Sequence, residues 1–310
     1  MLDYENGIIG KYKGNEPGPL LIITAGMHGN EHAGVAALEL LFKMLEVEPI
    51  TNPNFVYKGE IIGILGNKLA YERKVRYIQQ DINRLWTSDT ISHIKNTDNL
   101  TLEEFEIKRI LQVIDNEIDA VNPNKIYLLD LHTTSSVGGI FCITTHNEES
   151  IHIGHDIHAP VVLNLLGDIG GTTLHFFHDF YQNIPITSIA FEGGQHENPE
   201  SVNRCIAAVI NIMRSIGTIS SHDVENRHDE ILLEYMKNLP KTVEVIYRYH
   251  VDDINLWQML PGFSNFEKVD KGQHLAYYNG EPVLSPTDGL LLMPLYHNQG
   301  DDGFFIVREV

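Results

Sequence analysis

The sequence predicts an α/β fold in which helices flank a mixed sheet, followed by a smaller β-rich C-terminal domain. Three observations carry this expectation: short apolar runs stopped by glycine or polar residues, apolar residues at helical spacing between them, and a change of texture after Thr218.

The first run, Leu20 to Ala25, reads LLIITA and stops at Gly26; from Val35 the stretch VAALELLFKML repeats its apolar residues at helical spacing. That is strand, glycine turn, helix. The strand signal recurs in GEIIGILG from Gly59, KIYLLDL from Lys125 and ITSIAF from Ile186. Between the second and third of these, Ile107, Ile110, Leu111, Ile114 and Ile118 fall on one helical face. Beyond Thr218 the polar segment SHDVENRHDE leads into β-prone sequence from Thr242, punctuated by glycine and proline. A catalytic domain over residues 1–218 and a β-rich domain over residues 219–310 are therefore expected.

At 310 residues and 43% hydrophobic, the chain can bury a substantial core. Lys plus Arg number 22 against 42 Asp plus Glu, and the formal charge of -20 opposes general affinity for nucleic acid or anionic lipid. Neither is expected as a partner. Two cysteines, Cys142 and Cys205, make no C-x-x-C pair and fit a reducing cytoplasm. The N-terminal sequence has no signal-peptide pattern and no stretch approaches a transmembrane span, so a soluble cytoplasmic protein is expected.

Polar, metal-capable residues follow the apolar strands: His28 and Glu31 after the first, Asn67 after the second, Asp130 and His132 at the third, Glu192 after the fourth. Open α/β sheets place ligand sites at those ends. The pattern H-x-x-E alone selects nothing, since chance gives roughly one match and the chain has three: His28/Glu31, His146/Glu149 and His222/Glu225. Context favours the first, because Gly26 and Gly29 allow a tight turn between strand and helix. With His132 it makes two imidazoles and a carboxylate, a set suited to Zn²⁺ with an open position. Glu192 is placed to act as base on the ion's water, or alternatively to cap a helix. Asp130, two residues before His132 on a strand, orients that imidazole or satisfies backbone donors. The segment RKVRYIQQDINRLW offers Arg73, Arg76, Asn83 and Arg84, either to grip a carboxylate and polarise a carbonyl or as a solvated loop.

In this order, HGNEHAG, RYIQQDINR, DLHTT and FEGG resemble the succinylglutamate desuccinylase and aspartoacylase family, relatives of the zinc carboxypeptidases. The resemblance implies a carboxypeptidase-like α/β domain with a β-rich tail that narrows the site entrance. It implies that His28, Glu31 and His132 bind one Zn²⁺ per chain and that Glu192 is the general base. It also implies that Arg76 polarises the carbonyl while Asn83 and Arg84 hold a carboxylate. One departure concerns substrate. Aspartoacylases carry an arginine shortly before the base glutamate, but Gln182 stands there, and no Lys or Arg occurs from Ile126 to Asn203. His175 and His178 are weak substitutes at neutral pH. Phe304 and Phe305 near the C-terminus lie either at the site mouth or in the core.

The expected function is a zinc-dependent amidohydrolase acting on an N-acyl amino acid or related small N-acylated amine with a carboxylate, alone or as a homo-oligomer. Two alternatives compete. One is a peptidase using His28, Glu31 and His32 as an H-x-x-E-H helix motif, against which Gly29 and Asn30 disfavour a helix interior. The other is a non-catalytic metal-dependent binding protein, which would have no need of Glu192. The run His152, His155 and His158 is expected to be a polar helix face rather than a second metal site.

Overall fold

The structure, a computed structural model, describes residues 6–181, 183–220, 223 and 227–310. Fourteen strands are assigned among them. β1 (Ile8–Lys13), β2 (Glu16–Ala25), β3 (Lys58–Leu65), β4 (Ile126–Thr134), β5 (Phe141–Thr144), β6 (Val161–Leu163) and β7 (Ile186–Gln195) precede residue 218. β8 (Thr242–His250), β9 (Trp257–Met259), β10 (Lys268–Val269), β11 (His274–Tyr278), β12 (Glu281–Leu284), β13 (Gly289–Leu292) and β14 (Asp302–Glu309) follow it. The helices are α1 (His32–Thr51), α2 (Lys68–Arg73), α3 (Ser88–Asn96), α4 (Leu102–Val121), α5 (Glu148–Asp156), α6 (Leu165–Asp168), α7 (Thr173–Phe180), α8 (Glu200–Ser215) and α9 (Arg227–Met236).

An 11-stranded mixed sheet runs β1-β3-β2-β4-β7-β5-β6-β8-β14-β13-β10, and a three-stranded antiparallel sheet β12-β11-β9 lies beside it. The four apolar runs of the sequence are the parallel centre, β3-β2-β4-β7. Their near-continuous hydrophobicity follows from burial on both faces. Along β2, Leu21, Ile23 and Ala25 pack with α1 and α8, whereas Leu20 and Ile22 pack with α3, α4 and α7. α4 begins with a capping box, Thr101 and Glu104 exchanging hydrogen bonds with each other's backbone N–H. The β-rich region continues the large sheet, since β8 pairs in parallel with β6 and β14 pairs antiparallel with β8. Phe304 and Phe305 are both fully buried on β14 and belong to the core. Cys142 and Cys205 are buried and unpaired. Among the described residues no helix is long and apolar enough to cross a membrane.

Candidate active site

Because β3 lies on one side of β2 and β4 on the other, the chain reverses its winding at β2, and a crevice opens where such sheets bind ligands. β2 leads into it through two glycines. Gly26 adopts φ +69°, and a Cβ on Gly29 would lie 2.0 Å from the Ala70 carbonyl carbon. That turn delivers His28 and Glu31 into the crevice, with Glu31 at the N-cap position of α1. His132 arrives from β4, paired across the ladder with Glu192 of β7. All four are buried.

The geometry at Glu31 is specific. Its carboxylate lies 2.7 Å from His28 Nδ1 and 2.9 Å from His132 Nδ1, and accepts from the Thr133 N–H at 3.0 Å. Each ring's other nitrogen faces a second carboxylate: His28 Nε2 is 3.1 Å from Asp81, His132 Nε2 is 3.0 Å from Asp130. An ionised carboxylate only accepts, so these partners fix the proton on both Nε2 atoms. Glu31 is equally an acceptor, so each Nδ1 faces it either through a proton of its own or through a cation that takes the proton's place. The titration directions also call for positive charge beside Glu31. Burial opposes ionisation of Glu31, but His28 and His132 outweigh it and hold the carboxyl well below its ordinary range. Burial likewise pushes His132 down, yet Asp130 and Glu31 hold it well above. The donor set, two imidazoles and a carboxylate whose ligand atoms lie within 4.8 Å of one another, fits a divalent ion of the zinc type.

Glu192 stands apart from this network. Burial pushes its carboxyl up to about 8, and its Oε2 has no hydrogen-bond partner in the protein. It lines the same cleft, as do Arg76, Asn83 and Arg84. Arg76 donates from Nε and Nη2 to Asp81 at 3.1 and 2.9 Å, leaving Nη1 3.9 Å from Glu31. Asn83 accepts from the Thr173 N–H at 3.1 Å. Arg84 Nη2 donates to Asp302 at 2.6 Å and Asp301 at 3.2 Å, while its buried Nε has no partner. The seven residues given roles by the resemblance therefore line one cleft, while Arg73 is exposed and outside it.

A model of the succinylglutamate desuccinylase/aspartoacylase catalytic domain matches residues 17–216. The chain belongs to this family. A succinylglutamate desuccinylase from Pseudomonas paraeruginosa is 32% identical over 308 residues, covering 88% of this chain and 84% of that protein. An N-acyl-aromatic-L-amino acid amidohydrolase (carboxylate-forming) from Xenopus tropicalis is 25% identical, covering 86% of each. The succinylglutamate desuccinylase/aspartoacylase structure from Rhodobacter sphaeroides shares the fold with a TM-score of 0.62 at 16% identity, over 97% of this chain and 88% of that one.

Several other expectations are resolved by position. His32 is the first residue of α1 and its ring packs on Tyr71 at 4.5 Å, so it lies outside the cluster of His28, Glu31 and His132, and His28 precedes the helix that the peptidase motif needs. Asn67 is a helix cap, accepting from the Ala70 N–H. Asp130 accepts from the Thr24 and Thr173 hydroxyls besides facing His132. His152 pairs with Asp156 on the exposed face of α5, away from any metal-capable group among the described residues. His175 bonds Thr172 beside a different cleft. Gln182, the His222/Glu225 pair and the side chain of His178 lie outside the described residues.

Four contributors went unnoticed in the sequence. Asp81 is one. Glu103, wholly buried, accepts from the N–H groups of Ile78, Gln79 and Gln80 and so folds the loop that presents Asp81 to Arg84. His196 and His297 line the cleft near each other, ring centroids 6.2 Å apart, each with a buried nitrogen that lacks a partner. Burial, with Arg76 and His196 nearby, pushes His297 down to about 3. Asp130→Asn is expected to weaken metal binding by about 10- to 100-fold, measured by competition with a chromogenic chelator. An unchanged affinity would remove Asp130 from that role.

Proposed function

We propose that the chain is a zinc-dependent deacylase that hydrolyses the amide bond of an N-acyl amino acid, or of a related small N-acylated amine bearing a carboxylate. One Zn²⁺ is held by His28, Glu31 and His132. The reading is carried by the two Nδ1 atoms turned to Glu31, each ring backed through Nε2 by its own carboxylate. The names of the relatives support the class of bond. A divalent ion there supplies Lewis acidity, lowering the pKa of a water and polarising a carbonyl.

The chain's own residues do the rest. Glu192 takes a proton from the attacking water and delivers it to the amine nitrogen as the C–N bond breaks, giving a carboxylic acid and an amine. Arg76, anchored on Asp81 through two N–H groups, keeps Nη1 for the oxygen on which negative charge develops. Asn83 and Arg84 receive the substrate carboxylate. We place this activity in the cytoplasm, in keeping with the two free buried cysteines. The test is an assay of metal-extracted and zinc-restored protein on a panel of N-acyl amino acids. Activity is expected only after zinc is restored; equal activity in both, or none on any amide, counts against the reading.

A further inference from the structure

Building on the deacylase reading, we infer that the amino-acid half of the substrate carries an apolar side chain, and that substrates with a second carboxylate on that half are rejected. The cleft beside the metal-capable cluster has an apolar wall made by Ile143, Leu165, Leu166, Ile169, Leu174 and Met293. These belong to, or pack against, one hydrophobic cluster between the sheet and the segment of α6 and α7. Among the described lining residues the lysine and arginine side chains are Arg76 and Arg84 alone, and both already hold carboxylates of the chain itself.

The wall's position decides which half of the substrate meets it. Asn83 accepts from the Thr173 N–H at 3.1 Å, and the Trp86 N–H donates to the Gly171 carbonyl at 3.0 Å. The carboxylate-binding pair is thus stapled to residues 171–173, which run directly into Leu174 and the apolar wall. A group on the carbon that bears the carboxylate faces that wall, while the acyl group extends toward His196 and His297. Among the described residues Arg84 is the one cationic side chain near that wall, and it serves the first carboxylate, so an ionised side-chain carboxylate placed there would be desolvated without a charge partner of its own, whereas a branched or aromatic side chain would displace water from apolar surface.

The experiment compares zinc-loaded protein on N-acetyl-leucine, N-acetyl-phenylalanine, N-acetyl-aspartate, N-succinyl-glutamate and N-hexanoyl-aspartate, with calorimetric titration of free leucine and aspartate. The kcat/KM for the two apolar amino acids is expected to exceed that for N-acetyl-aspartate by at least ~100-fold, with leucine binding more tightly than aspartate. In Leu166→Arg, a guanidinium at the wall is expected to shift that ratio toward aspartate by about tenfold. Comparable turnover of N-acetyl-aspartate and N-acetyl-leucine would overturn the inference and leave the deacylase reading intact. So would N-hexanoyl-aspartate matching N-acetyl-leucine, since the wall would then serve the acyl chain. No turnover on any amide overturns the deacylase reading instead, and the titration still decides the wall: aspartate binding as well as leucine refutes it.

Discussion

Glu192→Gln is expected to lower kcat by roughly 10³-fold while zinc content stays at one ion per chain. Glutamine keeps the shape of the side chain but has no basic oxygen, so the attacking water loses its proton acceptor and the amine its proton donor. Glu192 is not among the three metal-capable residues whose donor atoms face one another, and its buried Oε2 has no hydrogen-bond partner, so its replacement leaves those three donors in place. The discriminating measurement pairs steady-state kinetics with metal analysis of the same sample. Near-normal turnover would remove Glu192 as the base, and loss of zinc would make it a ligand.

The second large effect concerns the ion. His132→Ala is expected to reduce bound zinc to background and abolish turnover, whereas His32→Ala keeps both. Removing the imidazole leaves Glu31 and Asp130 buried with one cationic partner fewer, so the cost extends to folding. On the proposed reading, zinc in thousandfold excess over its Kd is expected to contribute about 4 kcal/mol to the wild-type protein. For a chain of this size that corresponds to a rise in Tm on the order of 10 °C. His132→Ala should show no such rise on adding zinc. Zinc loss in His32→Ala instead would restore the helix-borne peptidase motif.

The parallel centre of the sheet was legible because strands buried on both faces write themselves as unbroken apolar runs, and the helices between them as one-sided periodicity. Of the seven candidate site residues, His28, Glu31, His132 and Glu192 were legible because they lie at the ends of those runs, and Arg76, Asn83 and Arg84 because basic residues are scarce in this chain and they fall in one motif. Other parts left no local trace. β5 and β6 are short, and what makes them strands is their pairing with β7 and β8 rather than any alternation of their own. Asp81 and Glu103 look like two more acidic residues in an acidic chain; only the folded loop shows one backing His28 and the other gathering three N–H groups. His297, Asp301 and Asp302 reach the cleft from the far end of the sequence, through antiparallel pairing that no motif announces. One signal was available: the acidic pair after Gly300 is the complement of an arginine-bearing loop in a chain poor in arginine.

That long reach ties the arginine-bearing loop to the end of the chain. Gln299 accepts from the Arg76 N–H and donates to the Tyr77 carbonyl, 222 residues away, and Asp301 holds Arg84 across a separation of 217. The loop that bears both arginines is complete only with the C-terminal segment in place, and loss of that segment would take Gln299 from the Arg76 N–H and Asp301 and Asp302 from the Arg84 guanidinium.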